Sequence, residues 1–212
     1  MVFSAIIKKR TVLYLYMAVC LLYFIALYIE INIIFTDTYY LSHYQTDDIT
    51  SLIEKVHSTN WLNFVIAPIY VFTLASLTAI AIFTIFAIKN HQQTYKSCLN
   101  IGMIGQLVFA VNYLAIVILK ASGIVHYDAN TANDVFYCQS IVRLLPNIPS
   151  WALFACERCS IVEIIYLITT SLSIHIVCKI NVIRSFLVMI SIELFMVLFV
   201  SSIYICQYLA TF

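Results

Sequence analysis

Charged residues are scarce in this chain. Of its 212 residues, only 10% are Asp, Glu, Lys or Arg, whereas 63% are hydrophobic, and the mean hydropathy is +0.98. A soluble globular domain carries about 25% charged residues, so this composition excludes a water-facing surface over a fold of this size. The net charge of +1 argues against nucleic acid as a partner, because phosphate binding needs concentrated Lys and Arg. The outside of the fold is therefore expected to face a lipid bilayer.

Sequence signatures of chemistry are missing as well. The five histidines show no metal-ligand spacing, and we find no phosphate-binding loop and no nucleophile motif. Met1-Val2 lacks the glycine that N-myristoylation needs. The sequence therefore predicts no metal and no cofactor, and it favours a protein that is not an enzyme.

Long apolar segments make up most of the chain. Crossing about 30 Å of hydrocarbon takes about 20 helical residues, and five segments qualify, at 11–35, 61–88, 98–119, 151–178 and 186–210. Their apolar runs are continuous rather than alternating, which argues against barrel strands. The fold class predicted is an all-α polytopic transmembrane helix bundle of about five spans, with residues 1–212 forming a single integral membrane domain.

The first segment follows a basic cluster, as a signal peptide does. Its 25 apolar residues, 11–35, are too many for a typical signal-peptide core, and no A-x-A-like cleavage site follows them. We therefore interpret this segment as an uncleaved signal anchor.

Basic residues give the bundle a direction, since Lys and Arg stay on the cytoplasmic side. With the N-terminus inside, the inner segments hold most of the basic residues, namely Lys8, Lys9, Arg10, Lys89, Lys96, Lys179 and Arg184. Six acids, Asp37, Asp47, Asp48, Glu54, Asp128 and Asp134, fall in the outer loops, and none falls in an inner segment. The predicted topology is N-in and C-out.

Three side chains are expected at the outer membrane surface. Trp61 and Trp151 each open a predicted span from that side, where an aromatic ring with a polar tip suits the interface. Arg158 lies about two turns below the boundary, and we expect it to snorkel outward as a structural anchor. Between the first two spans, Ile49, Leu52, Ile53 and Val56 have the spacing of a short amphipathic helix that lies on the membrane or caps the bundle.

Polar residues form one helical stripe along the fourth span. They are Ser160, Glu163, Tyr166, Thr170 and Ser173, and the stripe should face other helices because lipid cannot satisfy it. Glu163 is twelve residues past Trp151, which places it roughly 18 Å deep. It is either a protonated carboxyl hydrogen-bonded between helices or part of a proton relay or ligand site.

Glu193 is a second deep carboxylate, on the fifth span. The short turn between the last two spans makes their helices antiparallel neighbours, but helical rise places Glu163 and Glu193 roughly 10 Å apart in depth. A shared-proton pair is therefore not favoured. Glu30 lies near the outer end of its span and should reach the interface.

Cys156 and Cys159 form a C-x-x-C at the outer end of the fourth span, where a thiol pKa can be lowered. On this topology Cys138 and Cys206 also lie toward the more oxidising side. A redox pair, a structural disulfide and ordinary packing are the three interpretations, and packing is favoured because no second cysteine pair follows in a loop.

Small and hydroxyl residues suggest where helices pack. Gly102 and Gly105 in the third span permit close helix approach. Thr73, Ser76 and Thr84 in the second span share a face, which we interpret as a packing seam.

Pro149, Ser150 and Trp151, followed by Glu163 and Tyr166, carry a family resemblance. This pattern resembles one in uncharacterised five-span membrane proteins of Bacteroidetes, where a proline and a tryptophan stand at the outer membrane edge and a Glu-x-x-Tyr follows one helical stretch later. The resemblance implies a multi-pass protein of the bacterial inner (plasma) membrane and singles out Trp151, Glu163 and Tyr166. It implies no particular activity.

Three functions are compatible with these observations. The first is a non-enzymatic scaffold or accessory subunit of a membrane assembly, with other membrane proteins as partners. The second is a small transporter or proton-coupled component that uses Glu163, together with Tyr166, Thr170 and Glu193. The third is a membrane thiol–disulfide oxidoreductase that uses Cys156 and Cys159. The sequence favours the first.

Overall fold

The computed structural model describes residues 11–43, 48–89, 91–125, 139–140, 148, 152 and 156–210, and within them the chain forms six helices. These are α1 (Thr11–Ile29, continued by a π-helical turn over Glu30–Ile34), α2 (Asp37–His43), α3 (Ile49–Ile88), α4 (Tyr95–Ala121), α5 (Ile161–Cys178) and α6 (Val182–Ala210). Apart from an isolated β-bridge between Ser140 and Ser160, the regular structure of the described residues is helical, as expected for segments that must satisfy every backbone group internally in lipid.

Five of these helices are long and apolar enough to cross a membrane. The candidate spans are Val12–Ile34, Ile49–Ile88, Tyr95–Ala121, Ile161–Cys178 and Val182–Ile203. The predicted all-α bundle with five spans is therefore confirmed. Large apolar side chains such as Leu13, Ile69 and Phe195 are exposed on its outside, as a lipid-facing surface requires.

Helix α4 lies at the centre of the bundle. Half of its most apolar window is buried, against 17% for the first and last spans, and it packs against α1, α3 and α5, while α6 packs chiefly on α5. Its glycines make this possible, as predicted. A methyl group on Gly102 would collide with the carbonyl oxygen of Ala75, and one on Gly105 with the Tyr166 ring.

The buried face of α3 differs from the predicted seam. Its buried residues are Val71, Ala75, Ala79, Ile82 and Phe86, whereas Thr73 and Thr84 are exposed. The hydroxyl of Thr73 donates to the Ile69 carbonyl of its own helix at 2.8 Å, so it needs no partner across an interface. Apolar residues form most of this contact, and Ser76, the third residue of the predicted seam, is half-buried with a buried hydroxyl oxygen.

Helix α3 also begins earlier than the predicted second span. The amphipathic segment around Ile49 is the N-terminal part of the same 40-residue helix and not a separate helix. At 1.5 Å per residue, α3 is about 60 Å long, roughly twice the hydrocarbon thickness. Its N-terminal part therefore projects beyond the bilayer, where His57 pairs with Asp37 of α2 at 2.8 Å. Trp61 follows this part and is 60% exposed.

The fourth span is shorter than predicted. Helix α5 begins at Ile161 rather than at 151, because Ser160 has an extended backbone and its hydroxyl accepts from the Glu163 N–H as an N-cap. One helical turn, at 156–158, precedes this break. Trp151 lies outside the described residues. At the other end, Lys179 has a left-handed backbone with φ 53°, and α6 begins at Val182, ahead of the predicted start at 186.

Candidate functional site: an intramembrane cavity lined by carboxylates

A cavity of about 650 Å³ opens between the five spans. It lies toward the end of the bundle at which α1 ends and α5 begins. Its charged lining residues are Glu30, Glu157, Arg158, Glu163 and Glu193. Eight aromatic side chains also line it, namely Tyr23, Phe35, Tyr39, Tyr40, Tyr70, Phe109, Tyr113 and Tyr166. A polar, aromatic-walled space of this size lies in the range of small-molecule sites.

Glu163 lies on the wall of this cavity, in the first turn of α5. Its side chain is buried, and its backbone N–H donates to the Ser160 hydroxyl at 3.3 Å. The predicted depth of twelve residues below Trp151 along one helix is wrong, because the helix breaks at Ser160. A carboxylate in the first turn of a helix also interacts favourably with the helix dipole.

Arg158 pairs with Glu163. Its Nη1 lies 3.1 Å from Glu163 Oε1, although the side chain is still 37% exposed, and this partner was not predicted from the sequence. Burial lowers the pKa of the Arg158 guanidinium, but the charges of Glu163 and Glu193 more than offset this and raise its pKa above the ordinary value. The guanidinium therefore stays charged and holds one side of the Glu163 carboxylate.

Glu193 of α6 meets Glu163, which the sequence did not favour. The Glu193 carboxyl lies within hydrogen-bonding reach of both Glu163 and Tyr166. With α5 ending at Cys178 and α6 beginning at Val182, helical rise gives an offset of roughly 6 Å instead of the predicted 10 Å, which the two Glu side chains can span. Two carboxyl groups this close can share one proton.

The predicted stripe of polar residues on α5 faces inward, as expected. Its members, Ser160, Glu163, Tyr166, Thr170 and Ser173, are all buried. Tyr166 packs its ring on Phe109 with centroids 4.9 Å apart and reaches Thr78 and Glu193. The Thr170 hydroxyl donates to the Tyr166 carbonyl at 2.6 Å, and Thr170 is not among the described residues that line the cavity.

The burial of two lining residues was not predicted from the sequence. Glu30 was expected at the interface, but it is 9% exposed and accepts a hydrogen bond from the Tyr113 hydroxyl of α4. Gln106 of α4 is 3% exposed, and its Oε1 has no hydrogen-bond partner among the described residues. Spacing along the chain could not reveal either position, because Glu30 and Tyr113 are 83 residues apart.

Cys156 and Cys159 are not among the described residues that line the cavity, although Glu157 and Arg158 between them are. Cys156 belongs to the helical turn at 156–158, and Cys159 stands at the bend that follows. Both are free thiols in the described part of the chain. Cys138 and the side chain of Cys206 lie outside the described residues. Across the described ranges, no three His, Cys, Asp or Glu residues are grouped as a metal site would require.

These features define a multi-pass α-helical membrane protein with a carboxylate-lined cavity between its spans. No protein-family model, no curated protein and no solved structure matches this chain.

Proposed function

We propose that this chain is a small membrane transporter or proton-coupled component in which Glu163 and Glu193 hold an exchangeable proton beside a ligand in the cavity. The observation that carries this proposal is the cavity of about 650 Å³ with a carboxylate pair on its wall. Ionisable groups inside a membrane are costly, and they mark ion or substrate pathways by default.

Each residue has a distinct role in this proposal. Arg158 and the N-cap of α5 fix Glu163, while Glu193 approaches from α6. Tyr166 contacts Glu193 and shares the cavity wall. A proton shared by the two carboxyls leaves one negative charge there, which Arg158 balances. Loss of that proton creates an unbalanced charge in an apolar setting, which favours the entry of a compensating ligand.

A scaffold or accessory subunit, which the sequence favoured, does not require such a cavity, so the transport hypothesis moves ahead of it. Other membrane proteins remain candidate partners under the scaffold hypothesis. If that hypothesis is correct, the protein should co-purify with a partner in mild detergent, and Glu163→Gln should leave this co-purification unchanged.

Modification by dicyclohexylcarbodiimide tests the proposal, because this apolar reagent adds to protonated carboxyl groups within membranes. The carboxyl O–H adds across a C=N bond, and the adduct rearranges to a stable N-acylurea. We expect peptide mass spectrometry to find this adduct on Glu163 or Glu193. The adduct should decrease as pH rises, since only the protonated form reacts. Arg158, Glu157 and Tyr166 face the same two carboxyl groups, and all three are left unmutated in this experiment.

Three variants control this experiment. Glu163→Gln and Glu193→Gln together should abolish the adduct, whereas Glu54→Gln, at an exposed position of α3, should leave it unchanged. Unmodified Glu163 and Glu193 in wild-type membranes at low pH would contradict the proposal.

We also propose that the protein belongs to the bacterial inner membrane, with the N-in, C-out orientation, as the basic residues and the Bacteroidetes resemblance suggest. A reporter fused after Phe212 that is active only outside the cytoplasm tests this orientation. The redox hypothesis for Cys156 and Cys159 rests on the C-x-x-C spacing alone. Thiols that remain alkylatable in oxidised membranes would remove it.

A further inference from the structure

We propose that the cavity takes an organic cation with N–H donors, such as a primary amine on an aromatic or aliphatic body. This inference rests on the proposed function and adds the chemical class of its ligand. Three independent features of the cavity support it, namely the charge of the lining, the character of the walls and a buried acceptor.

The charge of the lining selects a cation. Four carboxylates line the cavity, while Arg158 is the single basic residue among the described lining residues. That guanidinium is already engaged, since it lies 3.1 Å from Glu163. Lys120 acts on Glu30, whereas Glu163 and Glu193 both interact with Arg158, so loss of their shared proton leaves one negative charge of this pair in excess. An anion would be repelled by this excess charge, and a neutral ligand would leave it uncompensated.

The walls select an organic body over a bare ion. Eight aromatic rings surround the space, and ring faces attract ammonium groups within about 6 Å. Tyr166 and Tyr113 carry this role next to the acids, because Tyr166 contacts Glu193 and Tyr113 donates to Glu30. A volume of about 650 Å³ is far larger than a metal ion needs and suits a small organic molecule.

The buried acceptor selects N–H donors. Gln106 lines the cavity, is 3% exposed, and its Oε1 lacks a hydrogen-bond partner in the described part of the chain. A buried acceptor without a donor is unfavourable, and native proteins rarely leave one. An ammonium group supplies up to three donors, enough for one carboxylate and this amide. A quaternary ammonium supplies none.

Calorimetric titration of the full chain in phosphatidylcholine nanodiscs tests the inference with four probes of similar size. They are phenethylammonium, its N,N,N-trimethyl analogue, 2-phenylethanol and phenylacetate, with empty nanodiscs to subtract partitioning into lipid. We expect phenethylammonium to bind about tenfold more tightly than each of the others, a difference that a single charge-assisted contact can provide.

Variants assign that preference to particular residues. Glu193→Gln should weaken phenethylammonium binding about tenfold and leave 2-phenylethanol unchanged. Glu30→Gln is the second acidic variant in case Glu193→Gln does not fold. Gln106→Leu, close in size, should abolish the preference for the primary over the trimethylated ammonium. Glu54→Gln, on the exposed part of α3, should behave as wild type.

The outcomes separate this inference from the proposed function. Equal or tighter binding of phenylacetate or 2-phenylethanol, or no binding of any probe, overturns the cation inference. An amine affinity that neither acidic variant alters overturns it too, because binding would then lie elsewhere. The proposed function falls separately, if carbodiimide modifies neither Glu163 nor Glu193.

Discussion

Arg158 and Glu163 lie on either side of Ser160, the residue that caps α5. Their pairing at 3.1 Å joins the turn before the break to the first turn of the helix. Breaking a fully buried ion pair costs about 3–5 kcal/mol. The Arg158 side chain is 37% exposed, so solvent screens part of the interaction, and a smaller effect is expected here.

We therefore predict that Arg158→Gln destabilises the protein by about 1–2 kcal/mol, because it leaves Glu163 and Glu193 facing each other without a cation. The double variant Arg158→Gln/Glu163→Gln should lose less than the sum of the single variants, by about 1 kcal/mol. Unfolding in mixed micelles measures both. Arg184→Gln, at an exposed position of α6, is the matched control, with a change within about 0.5 kcal/mol. Strictly additive effects would mean that the pair contributes nothing.

Single residues were predictable where their role follows from one helix. Glu163 and Tyr166 belong to a periodic stripe, so their burial could be inferred from spacing. The partner of Arg158 could not, because it depends on a break at Ser160 within an apolar run. Glu30 and Gln106 were missed because their surroundings come from other helices far along the chain.

Helix α4 sets the spacing of its neighbours. Gly102 faces the backbone of α3 at Ala75, and Gly105 faces the Tyr166 ring of α5. Because lipid is as apolar as the helices, no hydrophobic driving force brings them together, and such close packing stabilises their association instead. It also fixes the distance across which the α5 and α3 sides of the cavity face each other.

We predict that Gly102→Ala destabilises the protein by up to about 2 kcal/mol. Alanine improves helix propensity by about 1 kcal/mol, but forcing a methyl group into a packed contact costs about 1–3 kcal/mol, and a backbone atom cannot rotate away as a side chain can. The same micelle unfolding assay measures this change. Ala115→Val, which adds methyl groups to an exposed position of α4, should have little effect. A more stable Gly102→Ala would refute the close contact with Ala75.

The five membrane-spanning helices could be predicted from hydropathy, but the residues at which they begin and end could not. All five spans were predicted, because about 20 apolar residues admit few alternatives. The start of α3 at Ile49 and of α5 at Ile161 were not, since capping by Ser160 and continuity past Trp61 are local events that a hydropathy pattern does not record. The α6 start at Val182 then decided whether Glu163 and Glu193 could meet.

At the scale of the whole molecule, the five spans present apolar side chains outward and enclose an acidic, aromatic cavity. The lining comes from every span, so the cavity exists only in the assembled bundle. The central claim is that this space admits polar molecules within the membrane. Two threonines of α3 allow a test of that claim. Thr78 lines the cavity, whereas Thr73 is exposed on the outside of the bundle.

Labelling of Thr78→Cys and Thr73→Cys by a charged, water-soluble methanethiosulfonate ammonium reagent tests the claim most directly. Both variants carry serine at positions 156 and 159, because Cys156 and Cys159 are the less buried of the described thiols. Labelling is measured in native membranes. We predict rapid labelling of Thr78→Cys, slowed by phenethylammonium, and little labelling of Thr73→Cys, which faces hydrocarbon. Labelling of Thr73→Cys as fast as Thr78→Cys, or an inert Thr78→Cys, would contradict the existence of an accessible cavity between the spans.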